Sequence, residues 1–94
     1  MNKKVFLYGI AGVEDNYRIV RWIFIDGETE PVSIKSIVRG AGYLKFKNPG
    51  IEHVYAIDEG ASVALAYKAA KSNKSITNNI DFKLMLENEG LLII

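Results

Sequence analysis

The sequence predicts an α+β sandwich: a four-stranded antiparallel sheet with two helices on one face, in the order βαββαβ. Residues 4–10, KVFLYGI, send apolar side chains alternately to two sides, as a strand does. Residues 14–26 place Tyr17, Ile19, Val20, Ile23 and Phe24 on one helical arc and Glu14, Arg18 and Arg21 on another. Residues 59–72, EGASVALAYKAAKS, are Ala-rich and set Val63, Ala66, Tyr67 and Ala70 at helical spacing.

In the first strand Val5 and Leu7 share one side and Phe6 and Tyr8 the other. With both helices on a single sheet face, Val5 and Leu7 are expected beneath them and the two aromatics on the open face. The Trp, Ile and Phe content of residues 14–26 favours a strand by propensity. As a strand, however, both faces would mix Arg with large apolar groups, so a helix is predicted, with acidic residues in its first turn and Gly27 near its end.

Residues 32–38, VSIKSIV, turn Val32, Ile34 and Val38 inward and Lys35 outward as a strand, a short helix capped by Ser33 being the alternative. GYLKFK at 42–47 alternates, NPG is a turn signal, and EHVYAID alternates again. The third strand is therefore either 42–47 or 53–58. In IDFKLML, Ile80, Phe82, Leu84 and Leu86 share one face while Asp81, Lys83 and Met85 share the other, which suits a half-buried strand, although LMLENEG would also end a helix. Residues 87–94 are expected as a short C-terminal extension whose LLII finishes the fold or covers an edge.

At 94 residues, 49% hydrophobic and 24% charged, the chain suits one domain spanning 1–94 with one core. Twelve Lys and Arg against eleven Asp and Glu leave a net charge of +1, so bulk charge demands no polyanionic partner. Any basic footprint must come from local placement. The absence of Cys excludes disulfides, thiolate nucleophiles and zinc–thiolate sites. With the apolar run near the N-terminus broken by Gly9 and Gly12, an intracellular setting is expected, cytoplasmic or, in a eukaryote, nuclear. His53 is the only imidazole, so one chain builds no His-based metal cluster, and no cofactor is implied. No segment approaches the roughly 20 apolar residues of a membrane span, and no membrane partner is expected.

VFLYGI, residues 5–10, resembles the first-strand hexamer of the RNA recognition motif family. RGAGYLKF, residues 39–46, is similar to that family's third-strand octamer, with Ala41 where the family carries a stacking aromatic. The resemblance spans about residues 4–86 and implies an RRM-like, ferredoxin-like fold that binds single-stranded RNA on its open sheet face, with Phe6 and Tyr43 at stacking positions and Arg39 at a phosphate. From the residues themselves, Tyr8 joins the aromatic platform, and Lys35, Lys45 and Lys83 add cations from strand faces.

Two other functions stand beside RNA binding. Trp22 and Ile25 lie toward the polar arc of the expected first helix with Arg18 and Arg21, the composition of an anchor for a protein partner or a homodimer. GIAGVEDNYR has a lesser similarity to the anion-binding loop of acylphosphatases, with Arg18 as the anion ligand, but Glu14 and Asp15 would repel a phosphate there. No Ser–His–Asp set or carboxylate pair argues for catalysis, so a binding module is expected rather than an enzyme. Asp58 and Glu59, at the start of the 59–72 helix, are expected as capping and dipole-favoured carboxylates.

Overall fold

The computed structural model describes residues 3–12, 17–26, 34–71 and 80–93. Within them the chain is α+β and runs β1 (Lys3–Ala11), β2 (Arg18–Asp26), α1 (Ile34–Lys47), β3 (Ile51–Asp58), α2 (Glu59–Lys71), α3 (Ile80–Glu89) and β4 (Leu91–Leu92). The four strands form one antiparallel sheet in the order β2-β1-β3-β4. The described order is therefore ββαβααβ rather than the expected βαββαβ.

The helices divide between the two faces of the sheet. On one face Val5 and Leu7 of β1 and Val54 and Ala56 of β3 pack with Ile37, Ala41 and Leu44 of α1. On the other, Tyr8 and Ile10 of β1, Ile19 of β2 and Ile57 of β3 pack with Leu65 and Ala69 of α2 and with Phe82 and Leu86 of α3. The expectation of two helices on one face, with Phe6 and Tyr8 left open, is corrected: α2 and α3 cover that side. A sheet buried on both faces needs apolar residues on both, which is why β1 reads VFLYGI without a polar side.

The second element is also corrected. Residues 18–26, expected within a helix, are a strand paired with β1, with Leu7 opposite Trp22 and Ile10 opposite Ile19. Val20 and Trp22 pack on the α1 side and Ile19 on the opposite side, where Arg21 and Ile23 stay exposed, so apolar residues on both sides do not exclude a strand, and the β-branched and aromatic content prevails. Arg18 and Arg21 remain exposed because β2 lies at the end of the strand order, bonded to β1 alone among the described strands. Residues 14–16 of the expected helix lie outside the described residues, as do Glu14 and Asp15 of the acylphosphatase comparison.

Two expected strands, 32–38 and 42–47, are replaced by a single 14-residue helix, residues 32 and 33 lying outside the described residues. Ile37, Ala41 and Leu44 are its buried row, spaced by four and three. Gly40 and Gly42 lower its intrinsic helix propensity, and tertiary packing overrides that cost of about 1 kcal/mol each. Its last turn is closed by Asn48, whose backbone N–H and side-chain amide both donate to the Leu44 carbonyl at 3.0 and 3.1 Å. Pro49 and Gly50 then turn the chain into β3, the third strand, which resolves the open choice in favour of the segment containing 53–58.

α2 occupies 59–71 close to expectation, capped by Asp58, whose Oδ1 accepts from the Ala61 N–H at 2.8 Å. Its buried residues are Ser62, Leu65 and Ala69, not the Val63, Ala66, Tyr67 and Ala70 row, which faces outward. Residues 80–86, expected as a strand, belong to helix α3, with Phe82 and Leu86 buried and Ile80 and Leu84 exposed. Both apolar spacings fit Phe82 and Leu86; the helix buries them one turn apart. Gly90 ends α3, its N–H donating to the Leu86 carbonyl at 2.8 Å where a Cβ would stand 2.6 Å from the same oxygen. The expected extension thus supplies α3's end and β4, whose Leu91 and Leu92 lie opposite Ala56 and Tyr55 of β3.

Candidate nucleic-acid interface

The residues singled out for RNA binding fall into two groups on opposite sides of the sheet. Tyr8 is 1% exposed, its hydroxyl 2.8 Å from that of Ser62 in a buried hydrogen bond, so its ring is part of the core. Phe6 is half-buried on the same side, with the Arg21 guanidinium 5.9 Å from its ring centre. Lys83, on α3, pairs with Glu87 one turn on and lies 4.7 Å over the Tyr17 ring. Its hydrogen bond to Glu87 raises the Lys83 pKa above the ordinary 10.5. These groups serve packing and helix stability on the α2–α3 side.

Lys35, Arg39, Tyr43 and Lys45 come together on α1, beyond the other face of the sheet. RGAGYLKF is helical there, and a helix places residues three and four apart on one face. Lys35, Arg39 and Tyr43 make one exposed row; Val38, Gly42 and Phe46 make the next. Lys47 sits 5.7 Å over the Tyr43 ring, and Lys45 is half-buried. Phe46 is 78% exposed, and strand alternation would turn it away from Arg39 and Tyr43. Helical spacing from Tyr43 is the signal that finds it.

Charge on α1 is segregated. The helix holds four of the twelve Lys and Arg and none of the eleven Asp and Glu, which leaves eight cations against eleven acids in the rest of the chain. A nearly neutral protein therefore carries a basic face, its last-turn Lys45 and Lys47 also favoured by the helix dipole.

Of the proposed protein-contact residues, Arg18, Arg21, Trp22 and Ile25 all lie on β2 rather than on a helix. Strand alternation separates Trp22, which packs against the α1 side, from Arg21, which reaches Phe6 on the opposite side. Ile25 stands opposite Lys4. Arg18 borders a shallow cleft with Ala11, Gly12 and Gly50. Trp22 instead joins the basic helix: its ring centre is 6.2 Å from that of Tyr43 at an interplanar angle of 50°, and the two rings with Arg39 and Gly40 line an open cleft of about 440 Å³.

No group of three or more His, Cys, Asp or Glu among the described residues is placed to hold a metal ion. No helix among them is long and apolar enough to cross a membrane. No family model, no curated protein and no solved structure matches the chain.

Proposed function

We propose that the protein is a small binding module that takes single-stranded RNA on the outer face of α1. One observation carries this reading: α1 holds four cations and no acid, and its Lys35, Arg39, Tyr43 and Phe46 lie together on its exposed surface. Single strands are held by cations that track phosphates and by rings on which unpaired bases stack, each base worth about 1 to 3 kcal/mol. Lys35, Arg39, Lys45 and Lys47 supply the first kind of group, Tyr43 and Phe46 the second. Arg39 and Tyr43 are the positions the resemblance implies for RNA, Lys35 and Lys45 were expected as added cations, and Phe46 and Lys47 are new; the face is helical and the covered sheet takes no part.

The test is fluorescence anisotropy of labelled single-stranded RNA across a salt series. Micromolar binding that weakens with salt and is lost on charge reversal at Lys35 and Arg39 supports the reading. Absence of binding at low salt, or binding to anionic vesicles in place of RNA, overturns it.

A second reading, self-association, is favoured by the outer row of α2. Val63 and Tyr67 are each more than 60% exposed and lie one turn apart with Ala66 and Ala70, forming an apolar strip. Sedimentation of wild-type protein and the Tyr67→Ser variant measures it directly, a dimer lost in the variant being the expected result.

A further inference from the structure

The geometry points to a nucleotide pocket in the cleft between β2 and α1, and we infer that Trp22, Arg39, Gly40 and Tyr43 together seat one base with its phosphate; this rests on the strand-binding reading of α1. Gly40 lines the cleft and, having no side chain, lets the indole approach the helix. A Cβ there would stand 2.8 Å from Trp22 Cζ3 and 3.0 Å from Leu7 Cδ1, so the indole lies against the helix backbone and forms a wall rather than a plug. Tyr43 forms the other wall, half-exposed and tilted 50° to the indole with the ring centres 6.2 Å apart.

The chemistry of the lining selects the occupant. Two aromatic rings and a glycine backbone favour a flat, weakly hydrated body, and the cleft falls in the size range of small-ligand sites. Arg39, exposed at the same cleft, adds a planar cation suited to a phosphate. A heteroaromatic base bearing a phosphate satisfies both. An aliphatic ligand leaves Arg39 unused, and a bare anion leaves both rings unused. The same chemistry is offered by a free nucleotide and by one residue of a strand, and α1's further cations and Phe46 extend the surface beyond a single nucleotide.

Trp22 is the only tryptophan, so its fluorescence reports on this cleft alone. Titration with a nucleoside 5′-monophosphate and with the matching uncharged nucleoside is expected to change Trp22 emission saturably, the monophosphate binding more tightly. Arg39→Ser should remove that preference while leaving nucleoside binding within about twofold, and Tyr43→Ser should weaken both ligands roughly tenfold, the scale of one lost stacking contact. Both positions are exposed, and thermal melts of the two variants should stay close to wild type. Labelled RNA is followed in parallel by anisotropy. RNA binding with no change in Trp22 emission overturns the pocket and leaves the α1 reading standing. Saturable mononucleotide binding without RNA binding keeps the pocket as a free-nucleotide site and overturns the strand reading. Silence in both arms overturns both.

Discussion

Trp22 lies in the space that a side chain at residue 40 would occupy: an ideal Cβ on Gly40 comes within 2.8 Å of its indole. This close approach couples the edge strand β2 to α1. It also accounts for a glycine in the middle of a helix, where the residue's own propensity is poor. Gly42, two positions on, has open space around its Cβ position and meets no such constraint.

The two glycines should therefore respond oppositely to the same change. Gly42→Ala is expected to stabilise the protein by about 0.5 to 1 kcal/mol through helix propensity. Gly40→Ala must displace a half-buried indole and Leu7, and is expected to destabilise by about 1 to 3 kcal/mol. Urea unfolding of both variants measures the difference, and equal effects would show that the indole moves aside freely.

Tyr8 and Ser62 form a buried polar pair joining β1 to α2. Tyr8→Phe or Ser62→Ala alone strands one hydroxyl in the core and should cost about 1 to 3 kcal/mol. The double variant removes both groups and should lie closer to wild type than the sum of the single changes. A double-mutant cycle from thermal or denaturant unfolding gives the coupling; strict additivity would refute a buried bond between them.

Nucleic-acid affinity should follow faces of the molecule rather than residue type. Phe46→Ala is expected to lower RNA affinity by about 1 to 3 kcal/mol with the salt slope unchanged, since it removes a stacking ring and no charge. Lys45→Ala should flatten the slope of log affinity against log salt by about 0.7 unit. Phe6→Ala, on the covered side, should lower stability and leave the affinity of the folded protein untouched. Anisotropy at several salt concentrations separates the three, and a Phe6 effect as large as that of Phe46 would return the binding surface to the sheet.

Alkali should weaken the fold through Tyr55 and Lys83. Burial, and next the nearby Glu87 carboxylate, raise the Tyr55 pKa above its ordinary 10.0, while the Glu87 hydrogen bond raises that of Lys83 above 10.5. A group whose folded pKa is raised contributes stability that is complete below its unfolded pKa and is lost as pH rises through the folded value. Stability is thus expected to fall above about pH 10, and Tyr55→Phe should remove part of that fall. Denaturant midpoints measured from about pH 8 to about pH 11 for both proteins provide the check.

By itself the sequence determined the antiparallel α+β class, the strand at β1, the Asp58-capped α2 and the absence of cysteine, and it offered β3 as one of two choices for the third strand. Each rests on local information: side-chain alternation in KVFLYGI, the turn at NPG, and a carboxylate ahead of an Ala-rich run. Only the tertiary structure decided β2, α1 and α3. Residues 18–26 carry apolar groups on both sides, and the fold uses them unequally: Val20 and Trp22 pack on the α1 side, while on the other side Ile19 is buried and Arg21 and Ile23 stay exposed. Residues 34–47 carry two glycines, and only the sheet beneath Ile37, Ala41 and Leu44 compensates for them. The candidate site divides once both faces of the sheet are covered: Phe6 and Tyr8 belong to packing, and Lys35, Arg39 and Tyr43, expected beside them on an open sheet face, share the outer surface of α1 with Phe46, Lys45 lying half-buried.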